Sequence, residues 1–509
     1  MIEVLFVIPN SSKQLYQDLA NTYSAIEPPT WALLLASSVR KNSFSCEILD
    51  CDALRLNDEQ SIEEIKNSKC KLACFVLYGQ QPNQGTFLMI GATRLAKKLK
   101  LHHPEIKIGF VGSHTSALPM EVLSNNYIDF VFINEGVYAL NNLLKTDLKT
   151  NLHKIEGIGF KDENNKAILN PPSNVVAEKD LNTELPGYAW DLLPKNKKIF
   201  DLYRAHYWHT FFSEKDRTPF VSVYSSLGCR FGCNFCMINI VNRNNNNLNS
   251  NASDFRLMRH WDPIFFVDQL EKLANYGVKT IRLSDEMFFL NKKYYIPILN
   301  EIINRKLKFN LWAYARVDTV REDQLELFKK AGINWLCLGI EAGNQEVRKD
   351  IEKGRFEKIN IRDVTKSIKN HGINILGNYI FGLPEDNIER MKETLDLAME
   401  LNTEHANFYP CQALPGSPLY FEAKKNKWDL PQTFEEYAFF SYECKPLRTN
   451  YCTSEEVLRF RDEAWQKYFT NSNFLKMIEN KFGTESMNNI NSLSKIKLKR
   501  KILKNQNEN

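Results

Sequence analysis

The stretch Ser226-Leu-Gly-Cys-Arg-Phe-Gly-Cys-Asn-Phe-Cys-Met237 constrains this chain more than any other, because it sets Cys229, Cys233 and Cys236 in the spacing C-x3-C-x2-C. Just ahead of it, Phe220-Val-Ser-Val-Tyr-Ser225 is an apolar, β-forming run that reads as a buried strand. The cysteines therefore sit on a loop at a strand's C-terminal end, where α/β sheets and barrels carry their chemistry. Three thiolates this close need a shared ligand. Structural zinc takes four protein ligands, normally as two separated pairs, and no second C-x2-C pair or His-x-His pattern follows Cys236. A ferredoxin-type cluster brings a fourth cysteine within a few residues, whereas the next one here is Cys337. The donor set points to a four-iron cluster with one iron open, able to chelate a small molecule and pass it an electron. Burial as ordinary core cysteines suits any one of the three better than all three on one glycine-containing loop.

With Phe235 ahead of the last cysteine, this motif resembles the signature of the radical S-adenosylmethionine enzymes. The resemblance implies that Cys229, Cys233 and Cys236 hold a 4Fe-4S cluster, with Phe235 beside the cofactor. It also implies that the amine and carboxylate of S-adenosylmethionine bind the open iron. Reductive cleavage of the sulfonium then yields methionine and a 5′-deoxyadenosyl radical, which abstracts hydrogen from unactivated carbon.

At 509 residues the chain exceeds one ordinary core, so two or three domains are expected. Lys and Arg number 66 against 61 Asp and Glu, a net +5 that gives no nucleic-acid signature. The basic run Lys495-Ile-Lys-Leu-Lys-Arg-Lys501 reads as a solvated helix face or tail. Eleven cysteines without a pairing pattern suit a reducing compartment. The opening Ile2-Glu-Val-Leu-Phe-Val-Ile-Pro9 reads as a strand rather than a signal peptide, and no apolar stretch is long enough to span a bilayer. A cytoplasmic location with no membrane span is expected.

From residue 1 to about 145, apolar strands at Val4–Ile8, Cys46–Leu49, Leu72–Tyr78, Lys107–Val111 and Phe130–Ile133 alternate with amphipathic helices such as Phe87–Leu101. That rhythm means an α/β fold, a doubly wound, flavodoxin-like parallel sheet. Its ligands belong beyond the strand C-termini, at Gly79-Gln80, Gly112-Ser113-His114-Thr115 and Asn134-Glu135-Gly136. From the residues alone, a flavin, a nucleotide or a corrinoid would fit. Pro28-Pro29-Thr-Trp-Ala-Leu-Leu-Leu-Ala36, the Gly112–Pro119 stretch and Glu135-Gly136, standing ahead of the cysteine motif, are similar to the cobalamin-binding domain fused to one large subclass of radical enzymes. The resemblance implies cobalamin contacts from Gly79, Gly112, Ser113, His114, Thr115, Glu135 and Gly136. Two departures stand out. The family often has glycine where Ser113 and Asn134 stand, and no Asp-x-His-x-x-Gly exists to supply a histidine beneath cobalt. His114 is read as a hydrogen-bonding loop histidine, not as that ligand.

Residues 146–212 carry turn signals such as Glu156-Gly-Ile-Gly-Phe160 and Asn170-Pro-Pro172 and read as a hairpin and a connector packed across both domains. Between 213 and 420, six strand-loop-helix units form a partial (β/α)6, TIM-type barrel, with strands at Phe220–Ser225, Thr280–Ser284, Phe309–Ala315, Trp335–Ile340, Asn374–Phe381 and Ala406–Tyr409. Polar residues gather at the strand ends. By resemblance, Asp285 or Glu286 faces the S-adenosylmethionine amine, Arg316 its carboxylate, and Glu341 its ribose or amine, since a zwitterion in a dry site needs both signs supplied. Many radical enzymes have Gly-Gly-Glu where this chain has Ser284-Asp285-Glu286. Salt bridges at a barrel rim are the bland alternative for each of these residues.

The asparagine-rich insert at 242–253 has the composition of a mobile surface loop. Residues 421–509 read as a mostly helical module, with an apolar stripe at Val457, Phe460, Ala464 and Tyr468, where substrate choice would be made, and a disordered end at 505–509. The resemblance implies a cobalamin-dependent radical enzyme, foremost a methylase acting on an unactivated carbon of a small-molecule substrate. It would be served by an electron donor such as flavodoxin or ferredoxin. A cyclase or rearrangement enzyme with the same cofactors is the alternative, and a non-catalytic corrinoid- or redox-responsive protein is the alternative from another class.

Overall fold

The computed structural model describes residues 2–79, 82–352 and 359–506. Two parallel sheets organise it. The first has strands β1 (Ile2–Ile8), β2 (Cys46–Asp50), β3 (Cys70–Leu77), β4 (Lys107–Gly112), β5 (Phe130–Phe132), β6 (Ile158–Lys161) and β7 (Ala167–Leu169), in the order β2-β1-β3-β4-β5-β6-β7. Strands β1 to β5 pair in parallel, with Val4 to Val7 essentially inaccessible because helices cover both faces. The hairpin of β6 and β7 adds antiparallel to β5, so the chain continues the first sheet before crossing to the second.

The second sheet is a curled parallel half-barrel. Its strands are β8 (Phe220–Val223), β11 (Thr280–Leu283), β12 (Asn310–Arg316), β13 (Ile333–Glu341), β14 (Asn374–Phe381) and β15 (His405–Pro410), in the order β15-β14-β13-β12-β11-β8. Between β8 and β11 the chain forms a small antiparallel pair, β9 (Ser226–Cys229) with β10 (Leu257–His260). A Cβ on Gly228, at φ +83°, would lie 2.1 Å from the Leu257 carbonyl oxygen, so this turn into the cysteine loop requires glycine.

Short segments from distant parts of the chain close the half-barrel. The helices Ser12–Tyr16 and Leu19–Thr22, directly after β1, line its interior. Gln17 donates to the carbonyls of Phe440 (2.7 Å) and Lys499 (3.1 Å) and accepts from the Lys499 N–H (3.1 Å). The connector inserts Trp208 against Trp312 and Trp335, with ring centroids 5.3 and 5.1 Å apart.

The helix Ser454–Phe469 packs its stripe inward, with Val457, Ala464 and Tyr468 buried, behind a capping box of Thr453 and Glu456. In the basic run the lysines are exposed, whereas Arg500 is buried on Asp462, so this segment is a docked strap rather than a solvated face.

The asparagine-rich insert departs from its composition. Asn242, Arg243, Ser250 and Ala252 are buried, and Ala252 N–H donates to the Gly416 carbonyl (2.8 Å). Asparagine side chains close its turns onto neighbouring backbone N–H groups, as Asn245 and Asn247 do. Of the end expected to be disordered, residues 505 and 506 belong to a helical turn, Lys501–Gln506, and 507–509 lie outside the described residues.

Candidate functional site

Past the C-terminal ends of both sheets lies one cavity of about 1040 Å³. Asn83, Gln84 and Phe87 of the first domain share its wall with Phe235, Glu286, Arg316 and Glu341 of the second. Trp312, Tyr314, Cys337 and Asn378 form the floor along the inner face of the half-barrel.

Cys229, Cys233 and Cys236 are half-buried. Among the described residues, no group of three His, Cys, Asp or Glu side chains is set to hold a metal ion. Donors surround the sulfurs. Phe231 N–H lies 3.5 Å from Cys229 Sγ, Arg316 Nη1 3.9 Å from Cys233 Sγ, and Asn83 Nδ2 3.7 Å from Cys236 Sγ. Thiolate donors ringed by N–H groups fit an anionic iron–sulfur cluster.

The two adjacent acids after β11 have different surroundings. Asp285 is fully buried and accepts from Ser225 N–H (2.9 Å), Ser225 Oγ (2.6 Å) and Ser226 Oγ (2.5 Å), so it anchors the start of the cysteine loop. Glu286 lines the cavity, and its buried Oε1 has no hydrogen-bond partner among the described residues. Burial pushes its carboxyl up to about 8, with Arg282 opposing and Asp285 adding. Of the two acids, Glu286 is the one open to a cationic ligand. Arg316 is held by Asp318 through Nε and Nη2, both at 2.8 Å, and its guanidinium carbon sits 3.8 Å from the Phe231 ring centroid. Glu341 has φ +64° at a bulge in the β13–β14 register, and its carboxylate lies over Gly339, where a Cβ would come within 2.7 Å of Oε1.

In the first domain, Gly79 (φ +60°) and Gly136 (φ +75°) take left-handed conformations at the ends of β3 and β5, and Gly112 ends β4. Ser113, His114 and Thr115 are buried in the turn after β4. His114 pairs Nδ1 with Thr86 Oγ1 (3.1 Å), and burial holds its imidazole down to about 4, hence neutral. His114 Nε2 and Thr115 Oγ1 are buried without partners among the described residues, beyond a strand end where such sheets bind ligands. None of Gly79, Gly112, Ser113, His114, Thr115 and Gly136 lines the cavity, and His114 packs its ring on Phe434 (5.2 Å), so the fit to a corrinoid's amides or phosphate rests on the two orphaned groups, His114 Nε2 and Thr115 Oγ1. Glu135 differs from its expectation as a cofactor contact. Both its oxygens are engaged, one by Arg259 of β10 and the other by Val176 N–H (2.9 Å), so its carboxylate ties the domains together. Gln80, expected beside Gly79, lies outside the described residues.

Asn83 is the residue that sequence reasoning missed. Its Oδ1 accepts from Met237 N–H (3.1 Å), which turns its Nδ2 toward Cys236 Sγ. A lone asparagine in a turn gives no pattern by which to find it.

Comparison with known families accords with this geometry. The Radical SAM superfamily model matches residues 223–398, and the B12 binding domain model matches residues 16–144. The chain belongs to the radical S-adenosylmethionine enzymes that carry a B12-binding domain. Its cofactors are accordingly a 4Fe-4S cluster, S-adenosylmethionine and cobalamin. The enzyme is 26% identical over 475 residues to an uncharacterized methyltransferase of Pyrococcus horikoshii, covering 92% of this chain and 93% of that one. It is 25% identical over 489 residues to the anaerobic magnesium-protoporphyrin IX monomethyl ester cyclase of Rubrivivax gelatinosus, covering 93% and 79%. Its fold is similar to that of the radical S-adenosylmethionine methyltransferase TsrM from Kitasatospora setae, solved with cobalamin and a [4Fe-4S] cluster bound. There the TM-score is 0.67 at 13% identity, over 97% of this chain and 100% of that one. No helix among the described residues is long and apolar enough to cross a membrane.

Proposed function

We propose that this enzyme methylates an unactivated carbon of a small-molecule substrate held in the shared cavity. One observation carries the reading: Asn83 and Phe87 of the B12-binding domain and Phe235, Glu286 and Arg316 of the radical domain line the same chamber. When bound, the cluster with S-adenosylmethionine supplies the 5′-deoxyadenosyl radical, and cobalamin supplies the methyl group. The chain's own part is placement and exclusion of water. Cys229, Cys233 and Cys236 hold the cluster. Glu286 holds the S-adenosylmethionine amine, Arg316 its carboxylate, and Glu341 a ribose hydroxyl or the amine. Trp208, in the cavity lining against Trp312, and the helices after β1 keep water from a substrate radical. The proposal includes a one-electron donor of the flavodoxin or ferredoxin type. It also includes a cytoplasmic location, consistent with eleven cysteines in no pairing pattern.

The cyclase or rearrangement reading uses the same residues, and the cyclase name of the Rubrivivax gelatinosus relative favours it as the alternative. The two separate on anaerobically reconstituted enzyme given hydroxocobalamin, a strong reductant and S-adenosylmethionine with a deuterated methyl group. Mass spectrometry is expected to find the label on cobalamin together with 5′-deoxyadenosine. Deoxyadenosine without labelled cobalamin supports the cyclase, and neither product overturns both readings.

A further inference from the structure

The cavity is electrically lopsided. At the cluster end, Glu286 and Glu341 accompany Arg316, a balance suited to a zwitterion. At the other edge of the half-barrel, across the sheet from β8 and its cysteine loop, the helix Ser454–Phe469 packs beside β15 through Arg461 Nε on the Phe408 carbonyl (2.7 Å), and there the lining carries Arg459, Arg461, Lys497, Lys499 and Arg500 against Asp462 and Glu463. Asp462 is already compensated. Arg500 grips it through Nε (2.9 Å) and Nη2 (3.0 Å) and uses Nη1 on the carbonyls of Ser441 and Phe439. Arg461, 3% exposed, adds its own Nη1 to Asp462 (2.7 Å) and places a second guanidinium charge on that single carboxylate. Even with Glu463 set against Arg459, Arg461 and the two lysines remain in excess.

The buried Arg461 charge is costly unless an anion completes it, and the exposed Lys497 and Lys499 add solvated positive charge to the same lining. Burial holds Arg461 below the usual guanidinium range, the direction expected of a cation short of countercharge. The lining is also aromatic: Phe439 meets Phe87 of the first domain and Tyr409 of β15, and Phe440 stacks on Tyr16, ring centroids 5.1, 5.2 and 6.0 Å apart. The Arg461 guanidinium lies 5.1 Å from the Phe440 ring centroid, where the apolar wall meets the charge.

We propose that the substrate is an amphipathic anion. A carboxylate or phosphate head docks at Arg461 and the strap lysines, and an apolar, aromatic-sized body extends toward Glu341 and Phe235. This rests on the methylase reading only in naming the occupant as the substrate. The arrangement fixes which end of the molecule reaches the cluster, since reversal would set the anion against Glu286 and Glu341.

The test uses the reconstituted full-length enzyme and three fluorescent probes sharing one pyrene body: 1-pyrenebutanoate, its butyl phosphate counterpart and neutral 1-pyrenebutanol. At least one anion is expected to bind about tenfold more tightly than the alcohol, a gap of the size that one or two partly buried charge contacts supply. The stronger anion identifies the head group. Lys497→Gln with Lys499→Gln, both exposed positions, is expected to close part of that gap and leave the alcohol unchanged. Arg461→Gln is expected to close the rest. Equal binding of all three probes, or a uniform loss across them in the lysine variant, overturns the proposal. Deoxyadenosine formation is scored separately on the same protein, so loss of charge discrimination and failure of the radical reading give different results.

Discussion

Asn134 and Arg243 are joined across the domain boundary. Arg243 N–H donates to Asn134 Oδ1 (2.9 Å), and Asn134 Nδ2 donates to the Arg243 carbonyl (2.8 Å) and to that of Ser173 (3.0 Å). Asn134 has φ +65°, a conformation that asparagine tolerates better than other side chains. The position where the family resemblance implies glycine thus keeps its backbone shape and gains a clamp on the asparagine-rich insert. Asn134→Gly is expected to cost about 2 kcal/mol through buried groups left unpaired, and Asn134→Ala about 3 kcal/mol because strain is added. Urea unfolding checks both. A glycine variant as stable as the parent would mean the clamp contributes nothing.

Glu286 should make ligand binding depend on pH. Its folded carboxyl, raised to about 8 from an ordinary 4.5, keeps a proton that the unfolded chain has released. The stability this contributes is complete below about pH 4.5 and is lost as pH rises toward 8. In enzyme prepared without the cluster the ligand's amine stays an ammonium, and holding it requires that proton to leave, so affinity for S-adenosylhomocysteine should rise close to tenfold per pH unit from 6 and level off near 8, about the slope of one linked proton. Calorimetry on Glu286→Gln should show a flat profile. A slope retained in that variant would place the linked proton elsewhere.

Asn83 should tune the cluster. A hydrogen bond to a cluster thiolate favours the reduced, more negative state. Asn83→Leu is therefore expected to lower the reduction potential of the reconstituted cluster, and Asn83→Asp to lower it further by adding charge. Potentiometric titration followed by electron paramagnetic resonance reads this without turnover, and an unchanged potential in both variants would leave Asn83 as a packing residue.

Glu27 and Arg282 form a third cross-domain tie, buried at the edge of the cavity with both carboxylate oxygens 3.0 Å from Nη1. Glu27→Gln strands the Arg282 cation and should cost about 3–5 kcal/mol. Glu27→Leu with Arg282→Met should recover most of it, because replacing both charges removes the desolvation cost. Failure of the double variant to recover would assign the pair a role beyond mutual compensation.

The strands were legible because each is a short, continuous apolar run, and the cysteine loop because its spacing is chemically specific. Less legible were residues whose meaning depends on direction. Asp285 and Glu286 are neighbours of like chemistry, and only the path of the loop after β11 sends one into the serines of the cysteine loop and the other into the cavity. Glu135 read as a cofactor residue because nothing in the sequence brings Arg259 to it across more than a hundred positions. The asparagine-rich insert read as mobile because composition counts apolar area, whereas its turns close through side chain to backbone hydrogen bonds. The helices after β1 gave no sign that they would wall a barrel formed two hundred residues later.

The central claim is that the cluster and the cobalamin face one chamber. Electron paramagnetic resonance of enzyme loaded with both a reduced cluster and Co(II) cobalamin tests it directly. Magnetic coupling is expected, with broadened signals and faster relaxation than in enzyme loaded with either cofactor alone. A spectrum equal to the sum of the two separate signals would contradict the shared chamber, and with it the proposed transfer of a methyl group to a carbon radical.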